Sequence, residues 1–576
     1  TASNNTAVGA NSLGANTTGA TNTAVGGDTL DANTTGSSNV AVGYNALTAN
    51  TTASHNIAIG ENSLLANTTG SENVAVGSYS LDANTTASDN TAIGYHSMGS
   101  NTTGANNTAV GNSALFTNTG SGDNSAVGFQ ALYTNAGARN TALGHNALFN
   151  NTTADNNVAV GKSALENNTT GTQNVAVGTY TLDANTTANN NTAMGYAAMT
   201  TSTTGATNTA VGASALNALT TASHNTAVGG DAGKSVTTGD YNTAIGTTAL
   251  DACTTGSRNV ALGYGAAGAI TTTIKNVAIG MDSLATMSTG DGYNTSVGNA
   301  ASYSNTTGSY NVAVGASALY ANTTGGDNTA VGYNALTACT TSGAYNTGLG
   351  KDSLEANTTG TFNTGAGQRS GESITTGTKN TMIGNYTGAA CTTGNYNAVL
   401  GSDCNVSASG AANQTVLGYS VTGNADDSLC FGNGSTDSAI AYGATSITAP
   451  SDIRLKEDIQ DEVVGLDFIN ELRPVTFQWK KAKDVPSEMK AHSDSEERVM
   501  NGKYNHGFIA QEVKEVIDKH GLKEGFDMWS EDDADGRQRI GEGALIPMLV
   551  KSIQELSAEV EQLKSKAHDK CDNKEE

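Results

Sequence analysis

Proline is absent from the first 449 residues of this chain and tryptophan from the first 478. Without proline, every position in that stretch keeps a backbone donor, which suits a continuous hydrogen-bonded ladder. Charge is scarce there too. Residues 1–450 hold only 8 of the 27 basic and 23 of the 52 acidic residues. A net charge of −25 with no basic stripe excludes nucleic-acid binding through phosphate neutralisation, and docking on an anionic membrane. No apolar run is long enough to span a bilayer, so membrane insertion is not expected. The six cysteines show no CxxC spacing and give neither a metal site nor a disulfide framework. No cofactor motif is present.

What is present is a repeat. Asn-(Thr/Val)-Ala-(Val/Ile)-Gly recurs with its Asn at 25 positions from Asn5 to Asn413. Of the 24 intervals, 20 are 17 residues long, two are 16 and two are 18. The unit reads N-T-A-V-G-x-x-A-L-x-A-N-T-T-G-x-x, numbered here as slots 1–17. So strict a period marks a solenoid with one coil per repeat, whereas a disordered tract drifts in phase. Glycine and the Asn-Thr-Thr cluster leave no room for a helix. Val74 and Val76 alternate with Ala75 as in a strand, Val to one face and Ala to the other. Gly77 turns the chain and Leu81 adds a second apolar anchor.

The expected fold class is mainly β: a long parallel β-solenoid over residues 1–418, spanning roughly 115 Å at the usual strand spacing. Each coil offers little core. The smooth Ala and Gly face is expected to admit close approach of other copies, giving a homotrimeric fibre. Asn-Thr-Thr is expected to form a projecting turn. It also reads as a glycosylation acceptor at Asn16, Asn33, Asn50, Asn67 and Asn84, but Asn and Thr ladders running up a solenoid account for it better. Cys253, Cys339 and Cys391 take the place of that Asn and read as small buried substitutes.

Through Ile57-Ala58-Ile59-Gly60-Glu61-Asn62-Ser63 and its many relatives, the array resembles the YadA-like left-handed β-roll heads of trimeric autotransporter adhesins. It departs from them in its repeat length and its Asn-Thr-Thr insert. The period fades after Gly418. Residues 419–450, with Leu429, Phe431, Ile440 and Ile447, read as a neck of short strands.

Residues 451–576 differ in kind, with 29 of the acidic and 19 of the basic residues. Four segments stand out: Ser451-Asp452-Ile453-Arg454-Leu455-Lys456, Arg473-Pro474-Val475-Thr476-Phe477-Gln478-Trp479, Gly507-Phe508-Ile509-Ala510-Gln511-Glu512-Val513, and the stretch from Leu545 to Leu556. In this order they resemble the self-cleaving intramolecular chaperone of phage endosialidases, tail fibres and tail spikes. The resemblance implies a small α+β domain ending in a long helix. Ile546, Leu549, Ile553, Leu556, Val560 and Leu563 are spaced 3, 4, 3, 4, 3, as in a coiled-coil seam. An amphipathic helix packed on its own domain has the same spacing, so both readings stay open.

The resemblance also implies chemistry. Ser451 would be the nucleophile, attacking the carbonyl of Pro450, and Lys456 its general base. Asp452 would orient one of them or be an ordinary turn residue. A serine hydroxyl needs a neighbour to take its proton, and a lysine does so only where burial or another cation lowers its pKa. Cleavage between Pro450 and Ser451 would then report correct assembly.

The leading expectation is a structural, adhesive fibre of a phage or virus, on a virion or extracellular surface. Its partners would be its own copies, other virion or fibre proteins, and a host receptor or glycan. A bacterial trimeric adhesin is the alternative. A polysaccharide-degrading spike fits less well, because the Asp and Glu residues are scattered and form no positioned pair. An ice-binding solenoid also fits less well, because adjacent threonines point both ways. Tyr79, Tyr133, Tyr180, Tyr293, Tyr303, Tyr310, Tyr320 and Tyr345 are either sugar platforms or turn residues on the shaft surface.

Overall fold

A computed structural model of the chain describes all residues except 1, 341–342, 445–446, 448–452, 490, 501, 523–525, 532–536 and 573–576. The chain divides into two compact units, Thr1–Pro450 and Ser451–Glu576.

In the first unit each repeat is one coil. Slots 2–4 form a strand, as at Thr6–Val8, Val74–Val76 and Thr381–Ile383. Successive strands pair parallel and slot on slot: Val74 with Thr91, Ala75 with Ala92, Val76 with Ile93. The parallel sheet runs past Gly418 to Ser428–Gly432 and ends on one antiparallel strand, Ser438–Ala441. Leu429, Phe431 and Ile440 of the expected neck lie in these last strands. Coils of unusual length keep their strands and absorb the difference after slot 12. Asn118 reaches the carbonyl three residues on, whereas Asn135, in a 16-residue coil, reaches the one two residues on.

The alternation is real, but its inner face is the opposite of the one expected. Alanine points into the coil, where Ala75 and Ala92 are fully buried. Slots 2 and 4 face outward, and Val42, Ile59 and Leu143 keep 37, 39 and 47 % of their surface. The coil is too narrow for two large side chains to meet across it, so Ala lines the strand wall and the Leu of slot 9 fills the interior. The smooth Ala face is therefore not available to other copies. What the array offers them is Val, Ile and Thr. Across the 24 strands from Thr6–Val8 to Ala398–Ser402, no residue of the outward pair is charged.

Leu81 and Leu165, both at slot 9, have left-handed backbone, with φ of 53° and 51°. That conformation costs a non-glycine residue about 1–2 kcal/mol. Fully burying a leucine contributes roughly 1.5–3 kcal/mol, so burial wins. The slot-5 glycines solve a different problem. At Gly161, φ is 132°, and an added Cβ would stand 2.5 Å from the carbonyl oxygen of Gly178 in the next coil. Only glycine lets the coils stack that closely.

Two asparagine ladders run up the interior. At slot 1, the backbone N–H of Asn39 donates to Asn22 Oδ1 at 3.0 Å, and its own Nδ2 donates to Ala53 O at 2.9 Å. At slot 12, Asn50 Nδ2 donates to Asn33 Oδ1 at 2.8 Å and to Ala53 O at 3.0 Å. Asn33, Asn50, Asn67 and Asn84 are fully buried, so the Asn-Thr-Thr segment is part of the wall and not a projecting turn. Thr51 follows suit, its N–H and hydroxyl both donating to Thr68 O.

Among the described residues the second unit holds three α-helices, α1 (Leu466–Glu471), α2 (Ala510–Lys519) and α3 (Leu545–Asp572). Two short antiparallel pairings accompany them, Val475–Phe477 with Asn505–Gly507 and Trp529–Glu531 with Gln538–Ile540. Their core is Val464, Phe468, Leu472, Val513, Ile517, Met528, Leu545 and Met548.

Candidate processing and assembly site

Pro450, Ser451 and Asp452 lie outside the described residues. Within the first segment the described residues begin with a 3-10 turn, Ile453–Leu455. Lys456 follows it, its backbone N–H donating to Ile453 O at 3.2 Å, and its side chain is exposed.

The second and third segments come together. Val475 pairs with Gly507 and Thr476 with His506 across the antiparallel strands. Just before the strand, Arg473 Nε donates to Glu512 Oε2 at 2.9 Å, and a second bond joins its Nη2 to Oε1. The guanidinium holds the Glu512 carboxyl below its ordinary range, and the carboxylate raises Arg473 in turn. The pair is exposed and adds little stability. Its effect is geometric, since a planar fork fixes the first turn of α2 against the strand. No role was assigned to either residue from sequence; the only signal was opposite charge in two marked segments.

The fourth segment is α3, and it has two faces. Leu545, Met548 and Ser552 are buried against the rest of the unit. Glu555 Oε2 accepts the backbone N–H of Leu466 at 2.7 Å, at the start of α1. Gly465 leaves room for that carboxylate, which a Cβ there would strike. The other face carries the seam. Ile546, Ile553 and Leu563 are 64, 63 and 65 % exposed, and Leu549, Leu556 and Val560 are exposed as well. The docked residues stand one position before the seam, so the seam itself is not the face that packs on its own unit.

Residues 451–522 match the family described as chaperone of endosialidase. That span takes in the first three segments and ends before α3. No curated protein and no solved structure matches the chain. Among the described residues no helix is long and apolar enough to cross a membrane, and no cluster of three His, Cys, Asp or Glu could hold a metal ion.

In the array, the candidate tyrosines mostly lie against neighbours one coil away. Tyr79 stacks on His96, Tyr133 on Phe116 and Phe149, and Tyr303 on Tyr320. Cys253, Cys339 and Cys391 sit fully buried at slot 12, where burial pushes their thiols up to about 12, 12 and 11.

Proposed function

We propose that the chain is a subunit of a homotrimeric, tail-fibre-like shaft whose assembly is directed by its own C-terminal unit. The observation that carries this reading is the exposed apolar seam of α3, six residues at coiled-coil spacing on a helix already docked by another face. The uncharged outward face of the solenoid supports it, as does the chaperone-like segment. Such a device answers a physical need. Identical coils restore nearly every contact after a slip of one repeat, so copies aligned by the array alone have no unique register. A seam at the C-terminal end sets that register and raises the local concentration of the other chains.

Processing follows assembly in this proposal. Ser451 Oγ attacks the carbonyl carbon of Pro450, Lys456 takes the hydroxyl proton, and Asp452 orients the pair. The C–N bond breaks as Lys456 returns the proton to the Ser451 nitrogen, Pro450 is left esterified to Ser451 Oγ, and water hydrolyses that ester to give a Pro450 carboxylate and a free Ser451. Association of copies would bury Lys456 and activate it, coupling cleavage to assembly. The freed shaft would then persist by kinetic stability. Its place would be a virion tail fibre or another extracellular surface, with other fibre proteins and a host receptor or glycan as partners.

The test is solution mass and intact mass on wild type, Ser451→Ala, and Ile553→Asp with Leu556→Asp. The expected results are a trimer and a 450-residue fragment for wild type, an uncut trimer for Ser451→Ala, and an uncut monomer for the seam variant. A trimeric seam variant would refute the assembly role of α3. An uncut wild type would refute the processing step.

One observation favours a second reading. Thr192, Thr209, Thr226 and Thr243 form an outward rank at slot 2, beside Met194, Val211, Val228 and Ile245 at slot 4. The expectation that threonines point both ways overlooked these slot-2 residues. An uncharged rank of this kind suits an ice surface, and a thermal-hysteresis assay decides it.

A further inference from the structure

Slot 17 is exposed and left-handed in coil after coil. In the first half of the array it holds residues such as Ser38, Asp89 and Asn106. Farther along it turns aromatic, with Tyr241, Tyr293, Tyr310, Tyr345, Phe362 and Tyr396 at φ between 58° and 62°. All six are 40–57 % exposed. A bulky ring is disfavoured in this conformation, and no burial offsets it here.

The rings are stacked up the array. Tyr293 and Tyr310 have centroids 5.1 Å apart at 14°, and Tyr345 and Phe362 have centroids 4.9 Å apart at 4°. In this aromatic stretch, where a basic residue takes the slot, its cation lies over an adjacent ring. Lys275 Nζ is 4.6 Å from the Tyr293 centroid, Lys379 Nζ is 5.0 Å from that of Tyr396, and the Arg258 guanidinium is 6.0 Å from that of Tyr241.

One position breaks this pattern. Asp327 stands between Tyr310 and Tyr345, one coil from each. The three share a column, since the Asp327 N–H donates to Ser309 O at 3.1 Å and the Tyr345 N–H to Gly326 O at 3.3 Å. Two coil steps separate the rings by about 10 Å. A cation midway would lie about 5 Å from both centroids, within cation–π reach. Lys275 and Lys379 keep that same distance in this column. Among the described residues no cation lies over Tyr310 or Tyr345. Tyr293 backs one ring and Phe362 the other, so both faces are held in place before anything binds.

We infer that Tyr310, Asp327 and Tyr345 form a clamp for a compact organic cation of the quaternary-ammonium type, a choline headgroup being the simplest example. A flat guanidinium would fill only one side of the gap. A rounded trimethylammonium touches both rings, and the Asp327 carboxylate supplies the counter-charge. This inference does not depend on the oligomeric state or on processing.

The experiment is calorimetric titration of the full chain with choline chloride, beside its neutral isostere 3,3-dimethyl-1-butanol. The expected result is saturable one-site binding of choline, with the isostere about tenfold weaker or worse. Asp327→Asn should weaken choline binding about three- to tenfold and Tyr310→Asn at least as much. Asn occupies slot 17 elsewhere, at Asn106 and Asn156, so both variants retain the coil. Asp89→Asn, at the same slot in a coil without rings at that position, should leave binding unchanged. Co-sedimentation with phosphatidylcholine vesicles, lost in Asp327→Asn, would assign the headgroup to a lipid surface. Choline binding without co-sedimentation would assign it to a soluble or polymer-borne ligand. The inference is overturned by absence of saturation, by equal binding of the isostere, or by unchanged binding in Asp327→Asn and Tyr310→Asn.

Discussion

Alanine at two equivalent asparagines should cost different amounts. Asn84 and Asn185 both occupy slot 12 and both are fully buried. Asn84 donates to Asn67 Oδ1 at 2.8 Å and to Ala87 O at 3.0 Å, and it accepts from Asn101 Nδ2 at 3.2 Å. Asn185 donates to Asn168 Oδ1 at 2.7 Å and to Ala188 O at 3.3 Å, but its own Oδ1 is buried without a partner. The cause is one coil away, where Ser202 replaces the next asparagine. Asn322 and Asn357 show the same orphaned oxygen beside Cys339 and Ile374. At about 1 kcal/mol per bond, Asn84→Ala loses roughly 3 kcal/mol and Asn185→Ala roughly 2. The cavity left behind, and the oxygen unpaired in the preceding coil, are common to both. Removing an oxygen that was already unsatisfied further relieves about 1–3 kcal/mol at Asn185. Asn84→Ala should therefore be the costlier change by about 2–4 kcal/mol. A long array does not unfold as one cooperative block, so the readout must be local. Hydrogen exchange by mass spectrometry over the coils around each site gives the opening free energies. Equal costs within about 0.5 kcal/mol, or a larger cost at Asn185, would refute the accounting of bonds and orphans.

Acidification should move the two units in opposite directions. Burial raises Asp82 and Asp183, each with one carboxylate oxygen unpaired. The folded state then holds the proton more tightly, so the shaft gains stability as pH falls from the raised value toward the ordinary one near 3.8. In the C-terminal unit, Lys519, Lys481 and Arg473 hold Glu471, Glu496 and Glu512 below their ordinary range. Their contribution is present above that range and is lost as pH falls through the lowered values. Both tryptophans lie in the C-terminal unit, so urea unfolding at pH 7 and pH 4 followed by fluorescence reports that unit, and local hydrogen exchange at the two pH values reports the coils around Asp82 and Asp183. The gain in those coils should disappear in Asp82→Asn with Asp183→Asn, while the coils around Asp251 and Glu355, which burial also raises, keep theirs; persistence of the local gain would refute the assignment. Separately, Gly161→Ala should cost at least about 3 kcal/mol, because a strained φ and a clash with the next coil add. Gly230→Ala, whose Cβ meets nothing within 4 Å, should stay within about 0.5 kcal/mol. Local hydrogen exchange compares the two, and a neutral Gly161→Ala would sink the close-stacking argument.

The period, the strand at slots 2–4 and the parallel register were legible because β-branched residues alternate with alanine at fixed spacing. Which side faces inward was not. Ranking by hydrophobicity puts Val74 and Val76 inside and Ala75 outside, but the slot-9 leucine already fills the narrow coil and leaves room only for a small residue; where slot 9 is Gly388, slot 3 takes the fully buried Met382 instead. Nor does any local signal place Leu81 in left-handed backbone, a conformation leucine adopts only because the interior rewards it. The slot-12 ladder was legible in the recurring Asn-Thr-Thr; the outward rank at slot 2 was not, because Thr, Val and Ile exchange there from coil to coil. In the C-terminal unit the seam of α3 was read from its spacing. Spacing could not show that Leu545, Met548 and Ser552, offset by one position, make the docked face. The Arg473–Glu512 fork joins residues 39 apart in the chain, a pairing that no local pattern encodes.

Each coil pairs with its two neighbours through the same strand slots every time. Deleting or duplicating one 17-residue repeat would keep the parallel backbone ladder and the slot-5 glycine stacking unbroken. Reach is therefore a free variable, adjustable in steps of about 4.8 Å, with no redesign of what stands at either end. The coils of 16 and 18 residues show that even the count within a repeat can relax, provided the change falls between the asparagine rungs. The array behaves as a tape measure, and selection for a longer or shorter span needs only a change in the number of its divisions.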